Sequence, residues 1–311
     1  VEGQIWYNTT TGILKGLPAV EAWSSTSSMI NQRAYQGSAG SLSAALVFGG
    51  SGAPAYPSPL TLTEEYDGNV FSAGGAMNVA LAGLNGSGTQ TAALAFGGFK
   101  PPSNTTADNT EEYDGSSWTA GGALGTGRFF LASAKSAIQT AGLAFGGNPG
   151  YKTNTEEYNG TSWTAGGALN TGRNQFDGAG TQTAGLAFGG NTPSGSPTKT
   201  TATEEYDGST WANGGALGTA RYAIGGCGTQ TAGLAFGGFD APTPTGGKTD
   251  TEEYDGSSWT SGGTLNTARR FIAGGGTQTA AFGAGGYTTT AVANAEQYNG
   301  SSWTNIASIN T

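Results

Sequence analysis

Apolar positions along this chain fall in short bursts, not in long amphipathic stretches. Between Arg221 and Trp259, Tyr222 to Gly226 is a Gly-rich apolar run, Gly233-Leu234-Ala235-Phe236 is a second, and Thr251 to Tyr254 is a third that ends on a large aromatic. Runs this short, bounded by turn residues, predict buried β-strands. GTQT (Gly228 to Thr231) turns the first run into the second, and Gly237-Gly238 closes the second. Asp255-Gly256 is a two-residue hairpin signal, and Trp259 anchors a fourth strand. Nothing shows sustained helical periodicity.

The same unit recurs around the chain. Its glycine pair falls at Gly49-Gly50, Gly97-Gly98, Gly146-Gly147, Gly189-Gly190, Gly237-Gly238 and Gly285-Gly286, at spacings of 48, 49, 43, 48 and 48 residues. A fixed period of this length marks a stacked or radial repeat, and four short strands per period make one propeller blade. The third strand ends on Tyr66, Tyr113, Tyr158, Tyr206, Tyr254 and Tyr298. The fourth opens on Trp118, Trp163, Trp211, Trp259 and Trp303, with Phe71 in the first unit. The expected fold is all-β: a six-bladed β-propeller of four-stranded antiparallel blades, with a short N-terminal β-hairpin extension. A glycine pair, then Tyr, then Trp, then Arg resembles the kelch repeat over residues 23–311. The departure is the short Tyr-to-Trp interval. The resemblance implies the fold strongly and function weakly, because kelch propellers serve as adaptors, lectin-like binders and oxidases.

Both ends encode the same blade segment. Trp23 stands ten residues before Arg33, as Trp211 stands before Arg221, while Trp303 runs on to Asn310-Thr311. The expectation is that blade 6 takes three strands from residues 269–298 and its outer strand from Trp303, leaving the segment around Trp23 as a rim connector. Residues 1–22 lie outside the repeat and read as a separate hairpin or connector, Gln4 to Asn8 against Ile13 to Lys15. Trp6 and Tyr7 favour its docking on a neighbouring chain. The run GQIWYNTTTGILKG resembles inter-domain elements of phage tail fibres, and the TQTAGLAFGG wording resembles kelch-like proteins of marine bacteriophages. A start at Val1 predicts a processed chain or a piece of a longer one.

Composition narrows function. Charged residues are 11% and the net charge is −9 without a large basic cluster, which argues against a nucleic-acid partner. No apolar run approaches a membrane span of about 18 residues. Histidine is absent, removing the commonest general base and transition-metal ligand; a copper-dependent kelch oxidase would need it. Cys227 is the single cysteine and reads as a small buried residue. No catalytic residue, metal site or cofactor is expected.

The two faces of the expected propeller differ in wording. Turns between the first and second strands of each blade (a–b) are nearly fixed as TQT, and those between the third and fourth (c–d) as Asp-Gly or Asn-Gly turns. The b–c loops vary in length and hold four of the six lysines. A rigid scaffold with variable loops on one side is how recognition surfaces are built. The expected ligand-binding residues are Tyr56, Phe99, Lys100, Tyr151, Lys152, Lys199, Phe239 and Tyr287. The Glu-Glu pairs that precede five of the six Tyr are expected to be scaffold, since neighbouring strand residues face opposite sides and cannot flank one scissile bond. For Arg33, Arg128, Arg173, Arg221 and Arg269 two readings stand: inter-blade salt bridges to the Glu of the EEY run, or a ring around the channel holding an anion. Leu81 takes this position in blade 2. Together these features suggest a non-enzymatic binding head of an extracellular or virion appendage, recognising a cell-surface glycan or receptor and joined to other appendage subunits through residues 1–22. The alternatives are a polysaccharide-degrading enzyme on a propeller scaffold and a purely structural fibre subunit.

Overall fold

The computed structural model describes residues 28–52, 59–100, 105–193, 198–240 and 247–306, together with the backbone pairing of 5–8 with 13–16. Tyr56, Trp23 and the end of the chain after residue 306 lie outside the described residues. Six four-stranded antiparallel blades, ordered a-b-c-d from axis to rim, form a β-propeller. Strand a is Gly37–Ser41, Asn85–Thr89, Ala132–Ser133, Asp177–Thr181, Gly225–Thr229 and Ala273–Thr277 in blades 1 to 6. Each strand a packs against that of the next blade, and strand a of blade 6 packs against that of blade 1, so the ring is closed.

Strand a of blade 5 starts three residues later than its apolar run predicts. Ala223 has φ 54° and cannot continue an extended strand, so Tyr222 and Ala223 stay at the face of the ring. The glycine pairs end strand b for a steric reason. Gly237 and Gly238 both have positive φ, and a Cβ on Gly237 would stand 2.5 Å from Ile272.

The core lies between blades. Leu186 and Phe188 of blade 4 pack with Ala235 and Tyr254 of blade 5, and the Phe188 and Trp259 rings meet edge-on at 5.0 Å. Three side-chain bonds recur at five of the six interfaces and explain the fixed wording of the repeat. The second Glu of one blade accepts from the Tyr hydroxyl of the next, as Glu157 does from Tyr206 at 2.6 Å. The Trp indole donates to the Thr that opens strand c of the preceding blade, 2.9 Å from Trp211 Nε1 to Thr155 Oγ1. The Gln of TQT donates to two carbonyls of the preceding blade, as Gln182 does to Gly142 and Tyr158. In the c–d turns, Asp207 Oδ1 accepts the N–H groups of Ser209 and Thr210, and Asn159 does the same for its own turn.

The sixth interface, between blades 6 and 1, replaces all three. Gln297 stands where the other blades have Glu, and the Tyr66 hydroxyl donates instead to Gly68 O at 2.8 Å. Ala295 replaces Thr and Phe71 replaces Trp, so acceptor and donor disappear together. Leu42 replaces Gln and packs on an apolar cluster with Met29, Tyr66, Phe71, Phe282, Ala295 and Ile306. This interface keeps bonds of its own: Gln36 Nε2 donates to Ala284 O and Ser38 Oγ to Gly274 O. The strand Ser28–Ala34 pairs with Val292–Tyr298 of blade 6 and with Ser51–Gly52. Trp303–Asn305 forms strand d of blade 6. Ile5–Asn8 and Ile13–Gly16 make a separate antiparallel hairpin.

Candidate functional site

The b–c loops and the d–a connections share one face, where the six-fold backbone repeat carries six different sets of side chains. Around the axis, Tyr35, Gly83, Phe130, Gln175, Ala223 and Phe271 follow one another, each N–H from Gly83 onward donating to the carbonyl of the residue before it at 2.6–3.0 Å. All six have φ between 51° and 66°. Just outside this axial ring, short backbone bridges join Ala82 to Phe99, Phe129 to Asn148, Asn174 to Asn191, Tyr222 to Phe239 and Arg270 to Tyr287.

The side chains divide the face in two. On one part, Tyr35, Phe130 and Phe271 close over the axis, with ring centroids 4.2–5.8 Å apart. Phe99 lies beneath Phe129 and Phe130, at 5.6 and 6.0 Å. Arg270 is held over the rings of Phe239 and Tyr287, 4.6 and 5.0 Å from their centroids. Burial pushes the Tyr222 phenol up, while Arg270 pulls it the other way. On the other part, amides replace aromatics: Asn174 Nδ2 donates to Asn148 Oδ1 at 2.7 Å, and Asn191 Nδ2 to Gln175 Oε1 at 3.1 Å. Among the described residues, buried Asn191 Oδ1 finds no donor.

The loop residues singled out by sequence sit on this face in two ways. Lys100, Tyr151, Lys152, Lys199 and Tyr287 are half-buried, whereas Phe99 and Phe239 are 4% and 3% exposed and serve as floor beneath other rings. Tyr56 lies outside the described residues. Sequence reasoning passed over Tyr35, Phe129, Phe130, Gln175, Tyr222, Arg270 and Phe271. They occupy the two positions that follow the repeated Arg, which read Ala-Tyr, Phe-Phe, Asn-Gln, Tyr-Ala and Arg-Phe after five arginines in a row. Variation directly behind a fixed residue was the available signal.

The five repeated arginines are fully buried, so none presents its guanidinium to solvent. Each reaches the first Glu of the EEY run of the blade it leads into: Arg33 to Glu64, Arg128 to Glu156, Arg173 to Glu204, Arg221 to Glu252 and Arg269 to Glu296. Their remaining donors go to backbone carbonyls, as Arg221 Nη1 does to Gly237 and Asp250. Burial lowers the pKa of Arg33, Arg128, Arg173 and Arg269, and the Glu partners oppose that shift. In blade 2, where Leu81 stands in place of Arg, Glu111 accepts instead from the backbone and amide of Asn78 and from Val79 N.

Beneath the aromatic cap the axis is filled by residues that break the repeat. A cavity of about 60 Å³ separates the cap from Asn85, Lys135 and Asp177. Lys135 Nζ lies 2.5 Å from Asn85 Oδ1 and 3.7 Å from Asp177 Oδ1, and Ser133 Oγ lies 3.0 Å from Asn85 Oδ1. Burial pushes the Asp177 carboxyl up and Lys135 opposes it. Lys135 belongs to the irregular a–b turn of blade 3, whose Ser136 reaches across to Gly180 and Gly228. The cavity is of the size of one or two waters, so this cluster reads as a polar plug. Among the described residues no three His, Cys, Asp or Glu side chains are grouped to hold a metal ion.

No family model matches the chain, and no curated protein matches it in sequence. The solved structure of YjhT is similar to it with a TM-score of 0.69, over 88% of this chain and 96% of that one, at 12% identity. Likeness at that identity concerns the six-bladed propeller fold alone.

Proposed function

We propose that this protein is a non-enzymatic recognition module that binds a glycan on the face formed by the b–c loops and the axial ring. One observation carries the reading. Among the described residues, 25 glycines take positive φ and only six other residues do, namely Tyr35, Phe130, Tyr151, Gln175, Ala223 and Phe271. All six stand on this one face. A side chain in that region costs of the order of 1–3 kcal/mol, and Gly83 shows that glycine fits the axial ring. Bulky side chains held there against a conformational cost point to use. Half-buried aromatic rings beside amides suit a sugar: rings stack on its C–H face, and amides bond its hydroxyls. The kelch-like and phage-like wording fits a binding head on a virion or other extracellular appendage, with residues 1–22 as the attachment to neighbouring subunits.

A glycan array probed with the full chain, followed by titration calorimetry on any hit, tests the proposal. Phe130→Gly and Phe271→Gly are expected to abolish binding while the far-ultraviolet spectrum is retained. Unchanged binding by both folded variants overturns the reading. Incubation with a bound polysaccharide is expected to leave its chain length unchanged; shortened chains would favour the enzymatic alternative.

A further inference from the structure

Two blades lack a side chain that three others use to bridge a pair of acceptors. Where the d–a connection enters blades 2, 4 and 6 it carries Asn78, Asn170 and Asn266; where it enters blades 3 and 5 it carries Gly125 and Gly218. Asn266 Nδ2 donates to Glu296 Oε2 and to Trp303 O, both at 3.0 Å. Asn78 Nδ2 bridges Glu111 Oε2 and Trp118 O in the same way, at 2.9 and 2.8 Å, and Asn170 Nδ2 reaches Trp211 O at 3.0 Å. Beside these amides Trp118, Trp211 and Trp303 are buried.

At the two glycines the gap between the acceptors is open. Glu156 Oε2 and Glu252 Oε2 keep a backbone N–H, from Gly125 and Gly218 at 2.6 Å, and among the described residues no other donor replaces the amide. The Glu156 and Glu252 side chains are 7% and 8% exposed, against 1% and 0% for Glu204 and Glu296. Trp163 and Trp259 are half-buried. The Trp carbonyl belongs to strand d, which ends its sheet, so no further strand covers it. In blade 5 a surface pocket of about 340 Å³ opens beside Gly218 and Glu252, edged by Thr219, Ser261, Thr264 and Asp250. The charges around it are Arg221 and Lys248 against Asp240, Asp250 and Glu252, an excess of one acid.

Resting on the proposed glycan-binding face, on which these notches lie outward of the axial ring, we propose that they are subsites for the primary ammonium group of an amino sugar. A carboxylate oxygen and a carbonyl oxygen only accept, and blades 2 and 6 show that a single nitrogen bridges them. The bridging atom must therefore carry at least two hydrogens. A sugar hydroxyl and an acetamido nitrogen each carry one, whereas a protonated amino group carries three. The half-buried Trp ring beside each notch offers the sugar an apolar surface. The excess acid in blade 5 favours a charged donor. Asn154 stands in blade 3 where blade 5 has Asp250, which makes the blade 5 notch the stronger of the two.

The test uses the full chain and short oligomers of chitosan, chitin and cellulose, which share one backbone and carry an ammonium, an acetamido or a hydroxyl group at the same carbon. Titration calorimetry at slightly acid pH is expected to show chitosan oligomers bound about tenfold to a hundredfold more tightly than the other two, the contribution of hydrogen bonds to charged groups. A protein of net charge −9 attracts any polycation, so variants decide the origin of the preference. Gly125→Asn combined with Gly218→Asn fills both notches as blades 2, 4 and 6 do and leaves the net charge unchanged; it is expected to abolish the preference at a retained melting temperature. Asp250→Asn is an independent check, set against Asp114→Asn, the same charge change on the opposite face. Weaker chitosan binding in Asp250→Asn alone is expected. Equal binding of the three oligomers, no binding of chitosan oligomers, a preference that survives the paired glycine substitutions, or equal effects of Asp250→Asn and Asp114→Asn overturns the subsites. In any of these events, a glycan whose binding is lost in Phe130→Gly still supports the glycan-binding face, whereas retained binding there refutes the face as well.

Discussion

Removal of the tyrosine hydroxyl that crosses each blade interface should expose the unequal strength of the six joints. Tyr206→Phe deletes the bond to Glu157 Oε1 at 2.6 Å, and it deletes the oxygen that accepts Gly167 N–H at 3.3 Å. A hydrogen bond to an ionised group contributes about 1.5–3 kcal/mol, more than a neutral one at about 1 kcal/mol. Tyr66→Phe loses only the neutral bond to Gly68 O, because Gln297 stands where its carboxylate partner would be. Unfolding entropy near 2.1 cal/mol/K per residue over 311 residues is about 650 cal/mol/K, so a loss of 2 kcal/mol lowers Tm by about 3 °C. The expected pattern is a fall of about 2–5 °C for phenylalanine at Tyr113, Tyr158, Tyr206, Tyr254 or Tyr298, and of less than about 2 °C at Tyr66. Differential scanning calorimetry of the six variants in one buffer reads this directly. An equal fall at Tyr66, or no fall at Tyr206, refutes the assignment of the Tyr–Glu bonds as the polar clamps of the ring.

Arg221→Leu leaves Glu252 with a single backbone donor, Gly218 N, and is expected to cost about 3–5 kcal/mol in chemical denaturation. Arg269→Leu should cost less, because Asn266 still gives Glu296 its backbone and amide N–H, the arrangement blade 2 uses around Glu111; equal losses would refute this. Burial, and then the Glu partner, push the phenols of Tyr113, Tyr158, Tyr206, Tyr254 and Tyr298 up to about 12 from an unfolded value of 10. The fold therefore holds these protons more tightly than the unfolded chain, so their stabilisation is complete below about pH 10 and is lost as pH rises toward 12. Melts across that window, read with tyrosinate absorbance, should show Tm falling; a flat profile refutes it. Deleting residues 1–22 should leave the melting temperature of the ring unchanged and reduce self-association in analytical ultracentrifugation, and an unfolded product would place the N-terminus inside the ring.

The repeat made the architecture legible because each of its words has a local cause. Glycine pairs mark positive φ, Asp-Gly and Asn-Gly close hairpins through their own side chains, and Tyr and Trp at fixed spacing demand burial. The departures at Leu42, Phe71, Ala295 and Gln297 are equally visible in the sequence, but nothing local says that they meet. Ring closure brings residues more than two hundred positions apart to one interface, and there they compensate one another, an indole and its acceptor lost together. The same holds for the candidate site. Variable b–c loops could be read from composition, yet whether Phe99 and Phe239 face solvent or lie under other rings depends on how the d–a connections fold over them. An Arg repeated five times is compatible with a channel lining or with a buried pair. Only the curvature of the ring, which carries each Arg to the carboxylate of the blade it enters, decided that its charge is spent inside the wall, while the two residues after it are turned to the face by a backbone conformation that no residue-by-residue propensity favours.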